Sequence, residues 1–190
     1  ENVNDDDLIC LSDNDEIPNL NSKDFKSAKN DMFIFKQLFF YYKFNLFYDL
    51  MPWYGTKACK KKKLLSLSWL RNLKNKKYPS WRLDTIFSKT KHINLKIIQD
   101  GGWHFTNLKS AEEIHTKLSN FGHHNEFDVS GLTVENIQEC IDNKIVNYNH
   151  QADQSEDNKY NANYKLQVLE DHNLPKYLIK NKEKFKDWFD

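Results

Sequence analysis

The segment Leu8-Ile9-Cys10-Leu11-Ser12-Asp13-Asn14-Asp15-Glu16-Ile17-Pro18 constrains the fold more than any other stretch of the chain. Its unbroken apolar run, bounded by polar residues, reads as a short buried strand. Asp13, Asp15 and Glu16 then fall at the strand's carboxyl end, which in open α/β sheets is where ligands bind. In an extended chain Asp13 and Asp15 project to one side. They are so placed to chelate one divalent ion, Mg²⁺ or Mn²⁺, which would in turn hold a diphosphate. A solvated acidic turn accounts for the same residues, because Asp and Asn favour turns. The stretch alone leaves both readings open.

Composition narrows the class. A chain of 190 residues suits one domain, and 39% hydrophobic with 14% aromatic residues supplies a core. The 28 Lys+Arg against 27 Asp+Glu give a formal net charge of +1. That balance argues against a dedicated nucleic-acid binder, which carries a strong basic excess on one face. The basic residues are nearly all Lys, with Arg only at Arg71 and Arg82. Cys10, Cys59 and Cys140 are too few and too scattered for a disulfide framework or a zinc pattern. Cys10, inside the apolar strand, reads as a buried thiol. No stretch is long and apolar enough to span a bilayer. A sheet built around residues 8–12 needs neighbours, so the expectation is the later part of a longer protein, with earlier strands upstream.

Downstream, Ser22 is positioned to cap a short helix over Lys23 to Lys29. Met32 to Phe47 is densely aromatic and partly alternating, which suggests one or two strands with a buried face. Its rings read as core, or as platforms for sugar faces. Trp53-Tyr54-Gly55-Thr56-Lys57 reads as a turn or strand junction, and Lys60 to Lys63 as a solvated loop or a cationic guide for an anionic donor. Ser68 to Lys74 has helical spacing, and Trp81-Arg82-Leu83-Asp84 reads as a loop. Asn94 to Gln99 is a strand running into Asp100-Gly101-Gly102-Trp103-His104-Phe105. Two successive glycines allow positive φ and close approach to a ligand or to another segment. Trp103 and His104 after such a bend form either a binding wall or a packed bulge. Ser110 with Glu113 is a capping box, and Gly122 a helix stop after Phe121. His123-His124-Asn125-Glu126-Phe127-Asp128 is a metal or acid/base site, or a surface loop. Thr133 caps a further helix. Asn147 to Asn163 is polar and reads as a loop, Lys165 to Leu169 as a last strand, and Leu174-Pro175 opens a closing helix.

Four motifs occur in fixed order: Ser-Asp-Asn-Asp-Glu-Ile-Pro (12–18), Asp-Gly-Gly-Trp-His-Phe (100–105), His-Asn-Glu-Phe (124–127) and Leu-Pro-Lys-Tyr-Leu-Ile-Lys-Asn-Lys-Glu-Lys-Phe (174–185). Together they resemble the β-1,4-mannosyl-glycoprotein 4-β-N-acetylglucosaminyltransferases, glycosyltransferase family 17, in their short bacterial and viral form. The resemblance implies an α/β fold of GT-A type, a mixed sheet flanked by helices, whose first nucleotide-binding strands precede this chain. Residues 1–190 would then be the C-terminal part of a single glycosyltransferase domain, from the D-x-D strand to the closing helix.

The resemblance also implies an inverting enzyme that uses Mn²⁺ or Mg²⁺. It would move a sugar, GlcNAc from UDP-GlcNAc, onto a hydroxyl of a glycan or polysaccharide acceptor. Asp13 and Asp15 map to the metal motif, with His104 or His124 as a further ligand. Glu126 and Asp100 are the candidate bases for the acceptor proton. Glu16, Trp103, Gly101, Gly102 and Trp53 are the candidate sugar or donor contacts. A non-catalytic, transferase-like carbohydrate-binding module is the alternative. A metal-dependent phosphoesterase would need more clustered acids and His ligands. The Lys-, Asn- and Ile-rich, Arg-poor composition suggests an AT-rich genome. The expected setting is cytoplasmic or membrane-associated in a bacterium or virus, and the Golgi lumen in a eukaryote.

Overall fold

The structure, a computed structural model, describes residues 3–120, 124–152 and 159–190, with 124–126 given by backbone alone. Along the chain run β1 (Leu8–Leu11), β2 (Glu16–Pro18), α1 (Lys23–Ser27), β3 (Met32–Tyr41), β4 (Leu46–Phe47), β5 (Trp53–Lys60), α2 (Leu67–Arg71), α3 (Asp84–Phe87), β6 (Leu95–Ile98) and β7 (Gly102–Thr106). They are followed by α4 (Ala111–Ser119), α5 (His124–Ser130), α6 (Val134–Asp142), β8 (Ile145–Tyr148), β9 (Tyr160–Lys165), β10 (Gln167–Val168) and α7 (Lys176–Lys180). The class is mixed α/β, with parallel and antiparallel strands and flanking helices. The chain divides into two units, residues 1–39 with 51–104, and residues 40–50 with 105–190.

In the first unit the strands lie in the order β1-β5-β3-β6. The β1–β5 and β5–β3 pairs are antiparallel, and β3–β6 is parallel. β3 organises the core because its alternate residues are buried on opposite faces. Met32 and Ile34 pack with Trp69, Leu70, Leu73 and Leu95 beside α2. Phe33 and Phe35 pack with Ala58, Ile98 and Phe25 of α1. A strand covered on both faces reads as a continuous apolar run, as Met32 to Phe35 does.

β1 departs from the sequence expectation. It is antiparallel to β5, and its residues alternate between exposed and half-buried. Leu8 is 40% exposed and Cys10 is exposed, so neither a buried strand nor a buried thiol forms there. An edge strand needs only one apolar face, and Ile9 and Leu11 supply it. The residues expected as a turn at Trp53 to Lys57 are instead the start of β5, a strand of eight residues. The Lys60 to Lys63 run is engaged by acidic and backbone groups of the N-terminal lead-in. Lys60 pairs with Asp6 and Asp31, Lys62 pairs with Asp6, and Lys61 Nζ donates to the Val3 carbonyl.

In the second unit β4 pairs with β10, and β8 with β9, both antiparallel. The stretch expected as a loop from Asn147 to Asn163 therefore supplies strand residues at both ends. In β9 Tyr160, Ala162 and Tyr164 are half-buried while Asn161, Asn163 and Lys165 are exposed. Half-buried strands need an inward side chain only at every second position, which is why a polar composition concealed this one. The expected capping box at Ser110 forms, and Thr133, expected only as a cap, makes a second box with Asn136. Ser110 Oγ accepts from Glu113 N and Glu113 Oε2 accepts from Ser110 N, and Thr133 and Asn136 repeat the pattern. Residues 124–130, weighed as a loop, form α5, while Phe121, Gly122 and His123 lie outside the described residues. Near the carboxyl end, Phe185 and Phe189 pack against Phe44, and Phe44 N donates to the Trp188 carbonyl at 2.8 Å. Among the described residues no helix is long and apolar enough to cross a membrane.

Candidate functional site

β2 and β7 pair antiparallel, with Glu16 opposite His104, Ile17 opposite Trp103 and Pro18 opposite Gly102. The glycine pair makes this junction possible. Gly101 N donates to the Lys36 carbonyl, and the Gly101 carbonyl accepts from Asn19 N, each at 3.0 Å. A Cβ on Gly101 would overlap the Lys36 backbone. Gly102 has φ of +111°, and a Cβ there would overlap the Ile17 carbonyl. The close approach that the glycines allow is thus to neighbouring backbone.

The turn between β1 and β2 sorts the three acids. Glu16 N donates to the Asp13 carbonyl at 3.1 Å, so residues 13–16 form a turn. The Asp13 and Asp15 side chains therefore diverge, where an extended chain would place them together. Asp13 forms an ion pair with Arg71. Asp15 Oδ2 lies 3.4 Å from His104 Nε2. Glu16 Oε1 accepts from the Trp53 indole N–H at 2.8 Å, and Glu16 Oε2 accepts from Asp13 N at 3.1 Å.

His104 is 4% exposed, and its Nδ1 has no hydrogen-bond partner among the described residues. A buried polar nitrogen left unpaired is unfavourable. The imidazole stacks on Trp53, with centroids 4.1 Å apart, and Phe39 packs against both rings. The Asp15 carboxylate, the His104 imidazole, the Trp53 indole and the Glu16 carboxylate thus form one linked group. Beside it opens a cavity of about 140 Å³ lined by Leu11, Ser12, Asp13, Glu16, Trp53, Tyr54, Gly55, Lys57 and Arg71. At Gly55, part of the wall, an added Cβ would overlap Gln37 Oε1 and the Glu16 carboxylate. Lys57 turns away from ligand duty. Its ammonium donates to the Arg71 and Leu73 carbonyls at 2.6 and 2.7 Å, and burial lowers its pKa.

The structure therefore brings Asp15, Glu16, Trp53 and His104 together, with Asp13 at the rim. Asp100 sits at the other end of β2, its Oδ2 accepting from Asn19 Nδ2 at 2.8 Å. Trp103 is next to His104 on β7, so its side chain projects from the opposite face of the strand, across from Ile17. The side chains of His124 and Glu126 lie outside the described residues. Phe39, which packs on Trp53 and His104, lies in the aromatic run read as core or sugar platform, and Arg71, paired with Asp13, was not expected at the site although it is one of two arginines in a Lys-rich chain.

Asp15 and His104 are the two candidate metal ligands from the sequence that lie side by side, Oδ2 3.4 Å from Nε2. The Asp15 carboxylate is a ligand type that Mn²⁺ and Mg²⁺ sites use, whereas the His104 imidazole is a nitrogen donor that transition metals accept and hard Mg²⁺ disfavours. Among the described residues no group of three His, Cys, Asp or Glu side chains is arranged to hold a metal. Two protein donors would leave the other coordination positions to diphosphate oxygens and water. Comparison with known proteins gives no match: no protein-family model, no curated protein and no solved structure matches the chain.

Proposed function

We propose that the chain is part of an inverting, metal-dependent glycosyltransferase of GT-A type that moves GlcNAc from UDP-GlcNAc onto a glycan or polysaccharide hydroxyl. The observation that carries this reading is the β2–β7 pairing, which sets Glu16 opposite His104. The D-x-D-E-I-P and G-G-W-H-F segments, far apart in sequence and each weak alone, become neighbouring strands. They share one cluster of acid, imidazole and indole.

In this reading Asp15 and His104 hold Mn²⁺ or Mg²⁺, which when bound neutralises charge on the donor diphosphate. Trp53 fixes the plane of the His104 ring, and Glu16 fixes Trp53 through the indole N–H. Arg71, exposed at the cavity rim and paired with Asp13, is suited to a phosphate oxygen, because guanidinium matches phosphate geometry. A carboxylate takes the acceptor proton, and Glu126 and Asp100 are the residues to substitute.

The rival reading, a transferase-like carbohydrate-binding module without activity, draws on a different observation. Asp13 is engaged by Arg71, and the ligand group around Asp15 has two protein donors among the described residues. Nucleotide release from UDP-GlcNAc and other nucleotide sugars, with and without Mn²⁺ and with glycan acceptors, separates the two. The test belongs in the longest natural form of the protein. The transferase reading expects Mn²⁺-dependent UDP release that requires acceptor and falls at least about a hundredfold in Asp15→Ala, a loss typical of removing one electrostatic contact to the transition state. Glycan binding with no UDP release under any condition would leave the module reading standing instead.

A further inference from the structure

We propose that the segment Trp81–Phe87 is a docking surface for an anionic lipid bilayer. Four large apolar side chains stand in solvent within it: Trp81, Leu83, Ile86 and Phe87 are 78%, 71%, 70% and 87% exposed. Apolar groups scattered singly over a surface need no explanation, but a concentrated set marks an interaction site. Leu83, Ile86 and Phe87 have the i, i+3, i+4 spacing that brings side chains to one side of the single turn of α3.

This apolar tip is held outward by ordered contacts. Tyr78 and Thr85 are buried, at 7% and 8% exposure. Thr85 Oγ1 donates to the Arg82 carbonyl at 2.6 Å, and Asp84 pairs with Arg82 at 2.7 Å and with Lys91 at 2.8 Å. Both cations lie over the Tyr78 ring, at 5.4 and 5.9 Å from its centroid. The segment is thus anchored on its inner side while its largest apolar groups face away from the core.

Charge selects the occupant. Residues 71–92 hold seven basic side chains and one acidic one, in a chain whose formal net charge is +1. Arg82 and Lys91 share Asp84, and Arg71 pairs with Asp13. Lys74, Lys76, Lys77 and Lys89, which flank the apolar segment in sequence, are exposed. Protein interfaces are depleted in Lys, and a second copy docking by a two-fold axis would bring the same positive excess against itself. An anionic bilayer accepts both features. Headgroup phosphates attract the lysines, while Trp, Phe, Leu and Ile enter the boundary between headgroups and acyl chains. The inference stands apart from glycosyl transfer and needs no donor or metal.

The test is co-sedimentation of the chain with phosphatidylcholine vesicles, alone or containing about one third phosphatidylserine, at low and high salt. The wild type should sediment with the anionic vesicles at low salt, much less at high salt, and not with phosphatidylcholine alone. Trp81→Ser/Phe87→Ser and Lys76→Glu/Lys77→Glu should each lower the bound fraction about tenfold or more. Because these side chains are exposed, near-UV circular dichroism and the unfolding midpoint should stay at wild-type values. Absence of binding to anionic vesicles overturns the proposal. So does equal binding of wild type and variants, equal binding to both vesicle types, or self-association without lipid that the Trp81→Ser/Phe87→Ser change abolishes.

Discussion

The Trp53 indole lies flat on the His104 imidazole, ring centroids 4.1 Å apart and planes 11° apart, and its N–H donates to Glu16 Oε1 at 2.8 Å. Strand pairing alone sets Glu16 opposite His104. The indole from β5 then ties the two side chains together. Trp53 thus orients the carboxylate and the imidazole at once, one through its edge and the other through its face.

That double role separates two substitutions at Trp53. Trp53→Phe keeps an aromatic face and loses the donor to Glu16, and should lower stability by about 1 kcal/mol. Trp53→Ala removes the stack as well and should lower it by about 2–4 kcal/mol, somewhat below a fully buried truncation because Trp53 is half-buried. Urea unfolding of both variants measures this. Equal losses would mean that the hydrogen bond, not the ring stack, carries the stabilisation.

Gly102 and Gly131 offer a matched comparison of positive-φ glycines. Gly102, at φ +111°, has the Ile17 carbonyl where a Cβ would go, while at Gly131, with φ +64°, a Cβ would meet nothing within 4 Å among the described residues. Gly131→Ala should therefore cost only the conformational penalty of about 1–2 kcal/mol. Gly102→Ala adds a backbone overlap at the β2–β7 junction and should cost about 3 kcal/mol or more. Thermal unfolding of the pair checks the difference. Similar losses would show that β2 moves aside easily.

Local signals in the sequence had mixed outcomes: Ser22 precedes α1 but makes no side-chain cap hydrogen bond among the described residues. The Ser110–Glu113 box formed, and the glycine pair did make a close approach. The aromatic run from Met32 became the central strand because alternate faces each met a helix. Long-range partners decided what stayed hidden. Nothing local to Asp13 announces Arg71, and nothing local to His104 announces Trp53. The turn at residues 13–16 also defeated the extended-chain reading of the two aspartates, since a turn rotates successive side chains apart. β1 was misjudged because four apolar residues in a row fit a two-faced buried strand as well as a one-faced edge.

The cap of α4 is a test of local stability in the second unit. Ser110 Oγ accepts from Glu113 N at 3.3 Å, and Glu113 Oε2 accepts from Ser110 N at 3.0 Å. Ser110→Ala should cost about 1 kcal/mol, and Ser110→Asp should recover most of it, because Asp is also a good N-cap. Helical circular dichroism and hydrogen exchange across Ala111–Ser119 give the readout. No change in the alanine variant would mean that packing of Ala111 and Ile114, both buried, holds the first turn unaided.

Asp24 gives the first unit a defined pH response. Its carboxylate pairs with Lys96 at 2.7 Å and accepts from Gln99 N at 3.2 Å, linking α1 to the region of β6. The hydrogen bond from Lys96 is the main cause holding its pKa below the usual carboxylate range. Gln99 N adds to this, and burial opposes it. A carboxyl whose pKa is lower folded than unfolded stabilises the fold above its unfolded value, and that stabilisation fades as pH falls through the folded value. Both partners are partly exposed, so the contribution should stay below about 1 kcal/mol. Asp24→Asn should therefore be less stable than wild type near neutral pH, with the gap closing as pH falls below about 4, the ordinary carboxylate range. Urea unfolding of both proteins across that interval gives the comparison. A gap that stays constant, or widens in acid, would show that the ionised form of Asp24 is not what joins the helix to the sheet.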